Sequence, residues 1–154
     1  MNDILLLNAG LNKRIEQINR RITEILASES PELDEMARYT SLAGGKRLRP
    51  LMAILAFQIS SEFEDTQRIL DLAIAYELIH TASLVHDDII DGASMRRGKP
   101  SLNDKYGMGN AIVVADYLFA VAYGIGSKYG EKISSIMAKA ATKLAEGQID
   151  ESVN

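Results

Sequence analysis

Three stretches of this sequence, 51–59, 72–85 and 111–122, are apolar on most of their circumference when wound as helices. A surface helix needs only one apolar stripe, whereas a helix apolar on most sides has to be covered on most sides. A small two-layer bundle cannot cover three of them. They are therefore expected to be central helices of a larger all-α body, completed by dimerisation or by a further segment. Nearer the start, Leu11, Ile15, Ile18, Ile22 and Ile25 recur at spacings of three and four and form one stripe. Alternation of period two is nowhere sustained, so no sheet is expected. The fold class is all-α, a bundle of about six or seven helices.

Punctuation divides the chain. Ser30-Pro31-Glu32 is a helix start: a capping hydroxyl, a proline in the first turn, then an acid near the positive helix end. That helix is expected to reach Ala43 and stop at Gly44-Gly45; Pro50 opens the next, over 51–59. A polar break spans 60–66. A long helix over 66–91 ends at Gly92, and loop 92–100 leads to a short helix near 101–106, broken by Gly107 and Gly109. Two more helices are expected over 110–125 and 131–152. No repeat or linker interrupts the 154 residues, which are read as one domain.

Composition excludes some chemistry. There is no cysteine, so disulfides, thiolate metal sites and cysteine nucleophiles are ruled out. A net charge of −4 argues against a nucleic-acid partner. Ile4-Leu5-Leu6-Leu7 is short and follows Asp3, unlike a secretion leader. The apolar segment 111–126 is interrupted by Asp116 and falls short of a comfortable membrane span. The expectation is a cytoplasmic protein without a transmembrane segment, free to act on lipid-like substrates.

The long helix ends in Asp87-Asp88-Ile89-Ile90-Asp91. Acids at a helix C-terminus oppose the dipole and need a compensating cation. His80, Leu84, Asp87 and Asp91 follow spacings of four, three and four and share one face, about 16 Å long. Asp87 and Asp91, one turn apart, suit Mg²⁺, which takes hard oxygen ligands and usually binds substrate phosphates as well; Asp88, a step round the helix, is a further candidate, as a ligand or in a supporting place. Arg96 and Arg97 follow, suited to bidentate phosphate binding. A second basic site is Gly44-Gly45-Lys46-Arg47-Leu48-Arg49-Pro50, where glycines let the backbone approach an anion and Lys46 and Arg49 converge while Arg47 points elsewhere. It is not a Walker A loop, since no Ser or Thr follows Lys46. Two anion sites, one with metal and one without, flank an apolar interior. That combination asks for two phosphorylated, greasy substrates.

The segments 44–50, 80–91 and 96–101, in this order, resemble the trans-isoprenyl diphosphate synthases, or polyprenyl synthetases. The resemblance covers about residues 10–152. It implies the first half of the isoprenoid synthase fold around a central apolar cavity, Mg²⁺ as cofactor, and condensation of isopentenyl diphosphate onto an allylic diphosphate. By match of position, Asp87 and Asp91 would hold Mg²⁺ on the allylic diphosphate, with Arg96 beside it. Lys46, Arg49, His80 and Arg97 would bind isopentenyl diphosphate. Gly147-Gln148-Ile149-Asp150-Glu151 is similar to a later family element, with Glu151 where aspartate is usual. In this family bulky residues four and five places before the first aspartate limit product length; here these are Ser83 and Ala82, both small, which implies a product beyond C15, with Tyr76 or Phe119 as stops further down.

The family's body is about twice as long, and its second half carries another aspartate-rich motif that this sequence lacks. The first expectation is therefore a catalytic half of a split or heteromeric enzyme, whose partner supplies the other acidic site. The alternatives are a piece of a longer homo-oligomeric synthase, or a non-catalytic regulatory or prenyl-diphosphate-binding subunit. A terpene cyclase would have no use for the segment 44–50.

Overall fold

The computed structural model describes residues 2–60 and 67–153, with side chains from residue 10 onward except 67, 68 and 152. The described helices are α1 (Asn2–Ile25), α2 (Pro31–Ser41), α3 (Leu48–Ser60), α4 (Gln67–Ile90), α5 (Leu102–Tyr106), α6 (Met108–Ser127) and α7 (Glu131–Val153). Most of the expected break at 60–66, and the expected start of the long helix at Thr66, lie outside the described residues.

Local chemistry explains most boundaries. Ser30 caps α2, its hydroxyl accepting from the Leu33 amide at 3.4 Å, with Pro31 as first helical residue. That helix ends at Ser41, two residues short of the expected Ala43. Conversely, α3 starts at Leu48, two residues before Pro50. The first four amides of a helix have no intrahelical partner, so a proline in the third position removes a donor the helix does not use. Gly109, expected with Gly107 to break the short helix, instead sits in the second position of α6, in the first turn, where glycine's conformational freedom costs less than in a helix interior.

The all-α class holds, and the expectation of no sheet misses one two-stranded hairpin. Met95–Arg96 (β1) and Lys99–Pro100 (β2) pair antiparallel, Met95 opposite Pro100 and Arg96 opposite Lys99. The turn between them has positive φ at both Arg97 (53°) and Gly98 (76°), the geometry that matches strand twist in a two-residue hairpin. Strands this short carry no readable alternation.

Helix α4 is the centre, packed mainly between α6 and α3. Leu70, Ile74, Leu78 and Val85 of α4, Val114 and Leu118 of α6, Ile18 and Ile22 of α1, and Leu26 just beyond α1 fill the core. Leu11, the first member of the α1 stripe, stays 44% exposed. By length and apolarity Ile69–Ile90 and Met108–Ser127 are both capable of crossing a membrane, which corrects the reading that 111–126 is too short. Within the bundle 61% of the α4 window is buried but only 33% of the α6 window. The apolar helices are only partly covered: α3 leaves Leu48, Met52, Leu55 and Ile59 exposed along one stripe, and α6 leaves Met108, Ile112 and Val113 exposed. In helix α7 Met137 is the fully buried anchor, lying against Gly126 of α6, where a Cβ would collide with its sulfur.

Candidate functional site

One face of α4 organises the site. Tyr76, His80, Ser83, Asp87 and Ile90 lie along it at helical spacing, opposite α7. Two open grooves run between them, meeting at Leu144 of α7. One, of about 530 Å³, is lined by Arg49, Tyr76, His80 and Lys143. The other, of about 460 Å³, is lined by Ser83, Asp87, Phe119 and Gln148.

At the acidic end, Asp87 is half-buried and Asp91 exposed, one turn apart, the Asp91 amide bonded to the Asp87 carbonyl at 2.8 Å. Neither carboxylate has a hydrogen-bond partner among the described residues. Burial, then the neighbouring Asp91, pushes the Asp87 carboxyl above the usual carboxylate range; Asp88 and Glu151 of α7 add to this and Arg96 opposes it. The pair is thus short of positive charge. Among the described residues no three His, Asp or Glu side chains gather as a metal group. Two free, hard carboxylates are the donor set Mg²⁺ uses when substrate phosphates and water complete its shell, so the residues present fit that ion.

Asp88 behaves differently. It is 3% exposed, and its two oxygens accept from Arg96 Nε at 2.9 and 3.1 Å. A buried carboxylate committed to a guanidinium stands beside the free pair in a supporting place, the second of the two positions considered for Asp88. Its evident effect is to hold Arg96, which in turn keeps a pKa raised by that bond. The hairpin carrying Arg96 and Arg97 is itself pinned: Ser101 Oγ donates to the Ala93 carbonyl at 2.7 Å, the Ser101 amide to Ser94 at 2.9 Å, and Tyr39 Oη to Pro100 at 2.8 Å.

Arg97 joins the two basic segments. Its guanidinium donates to the Gly44 carbonyl and lies against the Gly45 backbone, where a Cβ would sit 2.7 Å from Nη1. Lys46 and Arg49 are exposed. His80 is half-buried, and burial, followed by the positive charge of Arg49, lowers its pKa from 6.5, with Arg97 and Arg96 acting in the same direction and Glu77 against it. His80, Arg49, Arg97 and Arg96 therefore share one positive field. Gln148 lines the groove beside Asp87, and Glu151 is exposed but near enough to act on Asp87.

The chain-length pair separates. Ser83 faces the groove with Phe119, whose ring lies 5.9 Å from His86 and 6.4 Å from Tyr123. Ala82 is wholly buried in the core. One residue turns about 100° on a helix, and here that turn takes Ala82 into the core, so that it lines neither groove. Tyr76 lies in the groove beyond His80, and Phe119 in the groove beside Ser83.

Sequence reasoning missed Lys143 of α7, which lines the same groove as Arg49 and His80 while its ammonium pairs with Glu146, and the partner of Arg47. Arg47 does point elsewhere: it is 3% exposed and bonds Glu77 at 3.0 Å. A lone glutamate inside an apolar run was the available signal, since a buried charge requires a partner.

The polyprenyl synthetase family model matches residues 30–154. The octaprenyl diphosphate synthase of Haemophilus influenzae is 38% identical over 91% of this chain and 42% of its own length. The heptaprenyl diphosphate synthase component 2 of Geobacillus stearothermophilus is 34% identical over 92% of this chain and 44% of its own. The crystal structure of geranylgeranyl pyrophosphate synthetase from Pyrococcus horikoshii superposes with a TM-score of 0.84 at 34% identity, covering 96% of this chain and 46% of that one. The chain belongs to the polyprenyl synthetase family, and it spans about half the length of these relatives.

Proposed function

We propose that this member of the polyprenyl synthetase family carries the isopentenyl diphosphate site and the first aspartate-rich site of a Mg²⁺-dependent prenyltransferase. The product would be a polyprenyl diphosphate for isoprenoid biosynthesis. The observation that carries the reading is the single face of α4: His80 within a field of arginines, Asp87 seven residues on, about 10 Å away along the axis, and apolar groove beside both.

Lys46, Arg49, His80 and Arg97 would bind the diphosphate of isopentenyl diphosphate. Arg96, held by Asp88, would meet the allylic diphosphate, and Asp87 and Asp91 would hold Mg²⁺. When bound, Mg²⁺ neutralises charge that builds on the departing diphosphate. The allylic C–O bond breaks with its electron pair leaving on diphosphate, the isopentenyl double bond attacks the resulting cation, and a proton is lost. Preorganised cations stabilise this charge separation best in a water-poor cleft. Ser83 leaves the groove open beside Asp87, and Phe119 would limit the growing chain.

The relatives are about twice as long, and no second Asp-Asp-x-x-Asp occurs in this sequence. The second acidic site would lie in protein beyond these residues, supplied either by a further stretch of the same polypeptide or by a partner in a split or heteromeric synthase working in the cytoplasm; the relative bearing the words component 2 supports a protein partner. The test is to incubate the purified chain with labelled isopentenyl diphosphate and an allylic primer, with and without Mg²⁺, and to measure its native mass. Mg²⁺-dependent binding of both diphosphates is expected, with turnover only in a larger assembly. Binding of neither would overturn the reading.

A further inference from the structure

The buried guanidinium of Arg47 has no place in the proposed binding set, yet it is the most completely enclosed cation among the described residues. Its side chain is 2% exposed and that of Glu77 is 6% exposed. All three guanidinium nitrogens are used: Nη1 donates to Glu77 at 3.0 Å, Nη2 to the Ser41 carbonyl at 2.7 Å, and Nε to Asn19 Oδ1 at 2.8 Å. These partners sit on α4, at the end of α2, and on α1. The backbone of Arg47 is left-handed, with φ of 50°, a conformation unfavourable for a side chain with a Cβ and tolerated where surrounding contacts over-determine it. A buried ion pair is weak support for stability, because an apolar pair of similar volume often does as well. The network needs another reason to exist, and its neighbours supply one.

Lys46 and Arg49 flank Arg47 and are exposed, while Arg47 is turned inward. Glu77 lies three residues before His80, and its charge acts on His80. The inward guanidinium thus ties the 44–49 turn to α4 one helical turn from His80. We infer that Arg47 and Glu77 are positioning residues: a buried strut that sets Lys46 and Arg49 at the height of His80, so that one diphosphate meets all three. This rests on the proposed isopentenyl diphosphate site and names what holds it in shape.

The test uses Arg47→Met/Glu77→Leu, which exchanges the ion pair for an apolar pair, and Arg47→Lys, which keeps the charge facing Glu77 but loses the fork to Asn19 and Ser41. Thermal melting, amide exchange of residues 44–49, and calorimetric affinities for isopentenyl diphosphate and for an allylic diphosphate with Mg²⁺ are measured. The double variant is expected to melt no lower than the parent, to exchange amides 44–49 at least tenfold faster, and to bind isopentenyl diphosphate at least tenfold more weakly. Its affinity for the allylic diphosphate should stay within twofold. Arg47→Lys should show the same selective loss, and it decides the matter if the double variant does not fold. Parental isopentenyl diphosphate affinity in a folded variant overturns the strut alone. Equal loss for both diphosphates also overturns it, because that is what a general structural role would produce. A parent chain that binds neither diphosphate overturns the functional reading and the strut with it.

Discussion

The Arg97 guanidinium bonds the carbonyl of Gly44, fifty-three residues earlier, and packs where Gly45 would otherwise carry a Cβ. This contact makes one surface of two basic segments that are remote in the chain. Gly45 has φ of 125°, so both its conformation and the close approach require glycine.

Gly45→Ala should therefore displace Arg97 without unfolding the protein. We expect isopentenyl diphosphate affinity to fall about tenfold, equivalent to about 1.4 kcal/mol, with unchanged far-ultraviolet circular dichroism. Calorimetric titration of the variant checks this; undiminished affinity would separate Arg97 from the site.

Asp87 and Asp88 are adjacent in sequence but have different surroundings, free carboxylate against buried ion pair. Asp87→Asn should reduce Mg²⁺-dependent turnover in the active assembly by about 100-fold or more. Asp88→Asn should retain Mg²⁺ dependence and instead weaken the allylic diphosphate through a loosened Arg96. Mg²⁺ titrations of activity for the two variants decide it, and identical profiles would contradict the division of labour.

His80 carries a pKa lowered from 6.5 by burial and by Arg49. Above 6.5 the imidazole is neutral in the folded and unfolded chain alike, and its contribution to stability is fully present. As pH falls below 6.5 the unfolded chain takes up a proton first, so stability is lost until the folded pKa is passed. Melting curves of parent and His80→Gln from pH 7.5 downward should show a shallower decline in the variant. Parallel declines would remove His80 as a source of that pH dependence.

Ser83 faces the groove and Ala82 faces the core. Ser83→Phe should shorten the product of the active assembly while leaving stability nearly intact. Ala82→Phe should destabilise the fold by about 1–3 kcal/mol through overpacking. Product chromatography together with denaturant titration distinguishes the two, and a shortened product from stable Ala82→Phe would reverse the assignment.

Gly126 gives way to Met137, the buried anchor of α7. Gly126→Ala should cost about 1–3 kcal/mol if Met137 cannot shift, lowering the melting temperature by several degrees. Because α7 forms the far wall of both grooves, affinity for hydrophobic diphosphates should fall in parallel. A gain in stability would show that Met137 moves aside freely.

Helical periodicity together with capping and glycine punctuation was enough for the order of the helices, though not for the β1–β2 hairpin. Local capping chemistry at Ser30-Pro31 located one helix start, while Pro50 and Gly109 misled because a helix's first turn tolerates what its middle does not. The spacing of His80 and Asp87 put both on one face of α4, because rise and turn per residue are constants of the α-helix, while Asp91 follows just past its last residue. What packing alone decided was the partner of each charge. Asp88 and Asp87 differ only by a rotation of about 100°, yet that rotation puts one against Arg96 in the interior and leaves the other open. Ala82 and Ser83 divide in the same way between core and groove. Arg97 on Gly44 and Arg47 on Glu77 join residues tens of positions apart. Such contacts follow from how helices settle against one another, and no local pattern encodes that arrangement.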